Sequence, residues 1–195
     1  MTDAARLRDG ALAILPTDTV YGIAAAAPHR SACERLYALK ARPPGQPMAV
    51  IAGSVEALLA DVLPEAAGRA GAILRALHPG PLTLIVPNPA RRFAHLCGER
   101  PGAIGVRVPV LRADVAALAD AAGGLAATSA NLRGEPAPAA LDEVPPALRD
   151  ACEVVVDGGR LPGTPSAVID VTGAEPAVVR DSPEARAALA RIASL

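Results

Sequence analysis

The chain has 195 residues, 51% of them hydrophobic, enough to bury a substantial core within the usual size of one domain, and residues 1–195 are read as a single domain. Aromatics are only 2% of the residues, so Ala, Leu and Val must build the core, which suits close-packed layers of helix on sheet. Nineteen Lys+Arg against 20 Asp+Glu leave a net charge of −1, which argues against a polybasic surface for non-specific nucleic-acid binding and makes any anion site local.

In chain order, Gly10 to Leu15 reads as a buried strand ended by Pro16, leading into a loop, Pro16-Thr17-Asp18-Thr19. Ser31 to Leu39 is a helix stopped by Pro43-Pro44-Gly45, and Met48 to Ile51 is a strand. Ser54 caps a helix that carries Glu56 in its first turn and runs to about Asp61. Glu65 to Leu77 is a second helix, ended by His78-Pro79-Gly80-Pro81, and Leu82 to Val86 a strand. Pro87 to Gly102 has no periodicity and reads as an irregular excursion. Ile104 to Val108 is a strand, Arg112 to Ala121 a helix, and Leu125 to Thr128 a strand entering Ser129-Ala130-Asn131. Pro136 to Pro146 is a proline-rich connection and the least structured stretch on this reading. Val154 to Val156, Ala167 to Val171 and Ala177 to Val179 are strands, and Pro183 to Ile192 is a closing amphipathic helix. This interleaving predicts an α/β fold with a twisted, largely buried mixed sheet flanked by helices.

Polar residues cluster where strands end: Thr17 and Thr19, Arg107, Ser129 and Asn131, Ser166 and Arg180. Ligands collect at such places because a rigid frame converges backbone donors there. Lys40, the single lysine, and Arg42 end a helix with no acidic neighbour in sequence. They suit a polyphosphate, lysine as a point charge and arginine as a planar fork, although cations at a helix C-terminus also complement its dipole. Thr128-Ser129-Ala130-Asn131 offers neutral donors for phosphate or ribose, or an ordinary turn. Arg107 interrupts an apolar strand, so it either bridges to a buried carboxylate or faces a cleft and binds an anion.

Several chemistries find no support. The sequence contains no GxxxxGK[ST], GxGxxG or GxSxG motif. Cys33, Cys97 and Cys152 lie far apart without a CxxC pair, so neither a disulfide framework nor a zinc site is indicated; His29 and Cys33 could share a helix face, but two ligands do not make a metal site. No window approaches a membrane-spanning length, and a cytoplasmic protein with no membrane partner is expected.

Taken in order, Pro16-Thr17-Asp18-Thr19-Val20-Tyr21-Gly22, Lys40-x-Arg42-Pro43, Pro79-Gly80-Pro81-Leu82-Thr83, Arg107-Val108-Pro109, Ser129-Ala130-Asn131, Ser166-x-Val168-Ile169-Asp170 and Arg180 resemble the YrdC/TsaC family of threonylcarbamoyl-AMP synthases. The resemblance implies a YrdC-like fold in the short form, without an extra C-terminal domain. It implies a nucleotidyltransferase that joins L-threonine, bicarbonate or CO2 and ATP into threonylcarbamoyl-AMP and pyrophosphate. A downstream tRNA threonylcarbamoyl transferase complex uses the product to modify an adenosine beside the anticodon. Thr19 and Arg107 would hold L-threonine; Lys40, Arg42, Ser129, Asn131, Ser166 and Arg180 would line the ATP side, with Lys40 and Arg42 supplying positioning and charge. ATP is then a substrate, Mg²⁺ accompanies it, and no metal is held by protein ligands alone. Such an in-line transfer needs positioning and charge neutralisation rather than a protein nucleophile.

Gln46, Arg133, Ala167 and Ser182 depart from the family pattern; the first two bear on nucleotide affinity, the last two on loop geometry. The rival reading is a catalytically inactive YrdC-fold protein that binds nucleotide or RNA, including direct contact with tRNA as a double-stranded RNA. A carbamoyl-transfer module of hydrogenase maturation is disfavoured by chain length.

Overall fold

The computed structural model describes residues 1–43 and 45–195. Nine strands form one sheet: β1 (Leu12–Pro16), β2 (Tyr21–Ala26), β3 (Ala49–Ile51), β4 (Leu82–Pro87), β5 (Ala103–Arg107), β6 (Leu125–Ser129), β7 (Val154–Val155), β8 (Ala167–Asp170) and β9 (Ala177–Arg180). Their order is β7-β1-β2-β6-β3-β5-β4-β8-β9. The pairs β1/β7, β3/β5 and β4/β8 are parallel and the other five antiparallel, so the expected mixed sheet forms.

Seven α-helical segments among the described residues surround it: α1 (Asp3–Arg8), α2 (Arg30–Leu39), α3 (Val55–Ala57), α4 (Arg69–Leu77), α5 (Ala113–Ala121), α6 (Pro146–Arg149) and α7 (Pro183–Ile192). One face of the sheet, with Ile14, Ile23, Val50, Leu84, Val106, Ala126 and Ile169, packs under α2, α4 and α7, which contribute Leu36, Ile73, Leu74, Ala185 and Ile192. On the other face Leu7 of α1 and Val115, Leu118 and Ala119 of α5 cover only Ala13, Leu15, Ala24, Ala26, Ile51, Leu125 and Val154 of the strands. Alternation along each strand sends successive side chains to opposite faces, so the face left uncovered is made by the residues between the core positions.

Local chemistry explains where the sequence reading and the fold differ. Strand β2 carries no strand signal because Gly22 and Ala24 to Ala26 have low β propensity; burial on both faces of the sheet centre selects them. The helix expected over 65–77 breaks at Gly68, whose φ of +68° belongs to no α-helix, so Pro64–Ala66 is a 3₁₀ turn and α4 begins at Arg69. Ser54 does cap, its Oγ accepting from Ala57 N at 3.0 Å, but the chain widens into a π turn over Leu58–Val62. Helix α2 ends as expected at Leu39; of its stop signal, Pro44 lies outside the described residues.

Hydrogen bonds fix both the irregular excursion and the proline-rich connection. Asn88, fully buried, donates to the Arg92 and Pro101 carbonyls (2.8 and 3.1 Å) and accepts from Arg92 N (2.9 Å), closing the 88–101 loop on itself. The proline-rich connection is tied to β2 by Tyr21 N to Pro138 O (2.9 Å) and to the β7–β8 loop by Leu161 N to Ala139 O (2.7 Å). Both loops deliver side chains to the uncovered face.

Candidate active site

The uncovered half of the sheet is the floor of a cleft of about 680 Å³, within the size of small-molecule sites. Gly22, Ala49, Gly105 and Ala127 line it from four adjacent strands, and their small side chains leave the space a covered sheet would fill. The site therefore lies across a sheet face, rather than beyond the strand ends as the polar clusters alone suggest. The β1–β2 loop, the Asn88-closed loop and residues 135–137 wall it.

Among the described residues its charged lining is Arg42, Arg100, Arg107 and Arg180 against one carboxylate, Glu135. Arg107 satisfies both alternatives left open by the sequence: it lines the cleft, and its Nη2 pairs with Asp18 Oδ1 while donating to Thr19 Oγ1 at 3.0 Å. Thr19 is buried and shares a hydrogen bond with Thr17 Oγ1 (2.9 Å), and Thr17 Oγ1 donates to the Val20 carbonyl (2.8 Å). Arg180 donates from Nε to Ser166 O (2.5 Å) and from Nη2 to Ser166 Oγ (3.0 Å), and Ser166 Oγ lies 3.0 Å from Thr83 Oγ1. Arg42 reaches Thr128 Oγ1 (2.8 Å) and Pro47 O (2.7 Å).

Ser129 and Asn131 line the cleft where β6 ends, joined by Ser129 Oγ to Asn131 Oδ1 at 2.5 Å, while Asn131 Nδ2 donates to Glu135 O at 2.6 Å. Lys40 is brought to this turn from behind and is not part of the lining: its Nζ donates to Ser129 O (2.8 Å), to Asn131 O and to Asn131 Oδ1 (3.3 Å). It holds in place the residues that face the cleft.

Burial pushes the Lys40 ammonium down to about 8, with the Arg42 charge adding to the effect and Glu135 opposing it. Burial also lowers Arg42, Arg107 and Arg180, Asp18 opposing the shift at Arg107 and Arg180 adding to it. The Nε atoms of Arg42 and Arg107 are buried without a protein acceptor. Two desolvated guanidiniums lining one cleft favour an anionic guest.

Sequence reasoning missed Thr83, Cys97, Arg100 and Glu135 as lining residues. Thr83 stood inside a quoted motif; Arg100 carried no local signal, because Asp170 Oδ2 (2.7 Å) and Thr172 Oγ1 (3.1 Å) place it through a tertiary contact. Gln46 lines the cleft, so that departure bears on the ligand directly. Ala167 points into the core beneath the sheet, and Ser182 caps α7 by accepting from Ala185 N at 3.3 Å; neither touches the cleft. Arg133 is exposed outside it.

Fold and site together define an α/β protein with an arginine-lined cleft for small anions on the open half of a mixed sheet. Residues 5–182 match the Sua5/YciO/YrdC family model, described as telomere recombination, and the chain belongs to that family. It is 32% identical over 191 residues to a putative threonylcarbamoyl-AMP synthase of Mycobacterium leprae, covering 96% of this chain and 84% of that protein. It is 32% identical over 177 residues to the threonylcarbamoyl-AMP synthase of Pyrococcus abyssi, covering 89% of this chain and 51% of that one, so it spans about half the length of that relative. The crystal structure of Pyrococcus abyssi Sua5 complexed with L-threonine superposes with a TM-score of 0.76 at 30% identity over 91% of this chain and 52% of the other. No helix among the described residues is long and apolar enough to cross a membrane.

Proposed function

We infer that the chain is a threonylcarbamoyl-AMP synthase, acting as a nucleotidyltransferase in the cytoplasm and as one domain over residues 1–195. The observation that carries this reading is the concentration of four arginines against one carboxylate in a single cleft of a protein whose net charge is −1. The L-threonine amine adds to CO2, losing a proton, to give a carbamate. A carbamate oxygen attacks the α-phosphorus of ATP, the bond to the β,γ-phosphates breaks, and pyrophosphate leaves. L-threonine brings a carboxylate, and the carbamate, ATP, the adenylate product and pyrophosphate are all anions, so the residues present position and neutralise rather than react.

Thr19 and Arg107 take the L-threonine end, Arg107 facing its carboxylate. Arg42, Ser129, Asn131, Ser166 and Arg180 take ATP, with Lys40 holding the Ser129–Asn131 turn from behind. Glu135 is the one lining carboxylate among the described residues, which fits Mg²⁺ arriving on the triphosphate with water completing its shell. Its role would be to neutralise phosphate charge. The product passes to a tRNA threonylcarbamoyl transferase complex, and tRNA itself is a candidate contact.

The test is to incubate the protein with ATP, bicarbonate and L-threonine and follow pyrophosphate. Release that stops when L-threonine is omitted is expected. Nucleotide binding without threonine-dependent release would transfer the assignment to the inactive, nucleotide- or RNA-binding reading.

A further inference from the structure

We propose that Asp18 is a positioning residue of the cleft: its carboxylate aims the Arg107 guanidinium and thereby sets the affinity for L-threonine without touching it. The proposal rests on the synthase reading and deepens it at one end of the site. Thr17 and Thr19 line the cleft while Asp18 between them does not, so the loop turns its carboxylate away from the ligand and onto Arg107. Oδ1 accepts from Arg107 Nη2, and Oδ2 accepts from Val110 N at 2.9 Å, just beyond β5. Both partners are shielded, with 13% of the Asp18 and 8% of the Arg107 side chain exposed.

A guanidinium is a planar fork, so fixing one edge fixes the other. Asp18 and Thr19 both take Nη2. Nε has no protein acceptor, and Nη1 makes no hydrogen bond among the described residues. Nε is buried, so Nη1 is the donor this arrangement leaves for a ligand carboxylate, through a charge-assisted hydrogen bond.

Asp18 also balances charge. Arg180 is close enough to Arg107 to disfavour its protonated form, and Asp18 opposes that effect. Without the carboxylate, Arg107 keeps only Thr19 Oγ1 as an acceptor and stands uncompensated beside the charge of Arg180. The bond to Val110 N further ties the β1–β2 loop to the exit of β5, so the threonine hydroxyls and the arginine are set by one contact.

The experiment compares wild type, Asp18→Asn and Arg107→Lys as full-length chains, measuring L-threonine binding by calorimetry, the KM for L-threonine and for ATP by pyrophosphate release, and the melting temperature. Asp18→Asn keeps the shape but has one acceptor for two donors: with its oxygen on Val110 N it turns a donor toward Arg107, and with its oxygen on Arg107 it loses the charge and the bond from Val110 N. The expected result is a KM and Kd for L-threonine raised about tenfold or more, an ATP KM within about twofold of wild type, and a folded protein. Arg107→Lys keeps the charge and loses the fork, and should show the same split; an unchanged L-threonine KM in this variant also overturns the proposal, because Asp18 acts only through Arg107. An unchanged L-threonine KM in Asp18→Asn, or an ATP KM that rises in step, overturns the positioning role. A wild-type protein that binds no L-threonine overturns the synthase reading itself, an outcome distinguishable from the first because it needs no variant.

Discussion

Arg42 shows how a residue named from a tripeptide acquires a role only through its partners. Its fork is clamped by Thr128 Oγ1 and Pro47 O, while Nε remains without a protein acceptor in the cleft wall. Arg42→Ala removes a preorganised charge and should cost about 2–4 kcal/mol of transition-state stabilisation, read as a fall in kcat/KM; wild-type turnover would remove Arg42 from the site. His78 is legible in sequence only as a helix terminator, yet its buried imidazole has neither nitrogen bonded. Burial pushes it down to about 4, the nearby Val108 carbonyl opposing and Arg107 reinforcing the shift. Because its folded value lies below the ordinary 6.5, the unfolded chain binds the extra proton first. Stability from this group is therefore complete above about pH 6.5 and lost as pH falls toward 4, on the order of 3 kcal/mol in all. Denaturant melts from pH 7 to pH 4 should show this loss in wild type and not in His78→Leu.

At the scale of elements, caps and breakers act within a few residues, and Ser54 caps as the sequence predicts, whereas Ser182, read from sequence only as a departure from the family pattern, also proves to be a cap. Ser182→Ala should cost about 1 kcal/mol and lower the melting temperature by about 2–4 °C with activity retained, since the hydroxyl lies outside the cleft. Strand β2 was not legible, because a run of glycine and alanine shows no period of its own and becomes a strand only between β1 and β6. The same smallness makes the cleft floor. A Cβ at Gly105 would stand 3.5 Å from Ala49 Cβ and 3.7 Å from Thr83 Cγ2, ordinary contact. Gly105→Ala should therefore fold normally, whereas Gly105→Leu should fold and lose ligand binding by about tenfold or more. Equal ATP and L-threonine binding in both variants would show that the floor is not where the substrates lie.

For the whole molecule, the division of labour between the two sheet faces is what makes a site possible. One face is sealed by α2, α4 and α7 and carries the stability: Leu84 of β4, with no exposed surface, should cost about 2–5 kcal/mol on substitution by alanine, measured by chemical denaturation. The other face is half covered and carries the chemistry. The sequence by itself determined the α/β class, most element positions, the absence of a global basic surface and the identity of seven of the eight nominated residues that do converge on the cleft, because propensity, punctuation and charge are local properties of the chain. Only the tertiary structure decided that the site spans a sheet face, that Lys40 works from behind it, and that Asp18 and Arg100 belong to its surroundings. Those facts arise from which residues strand alternation leaves uncovered and from hydrogen bonds between positions far apart in sequence, and neither has a signature in any short stretch of residues.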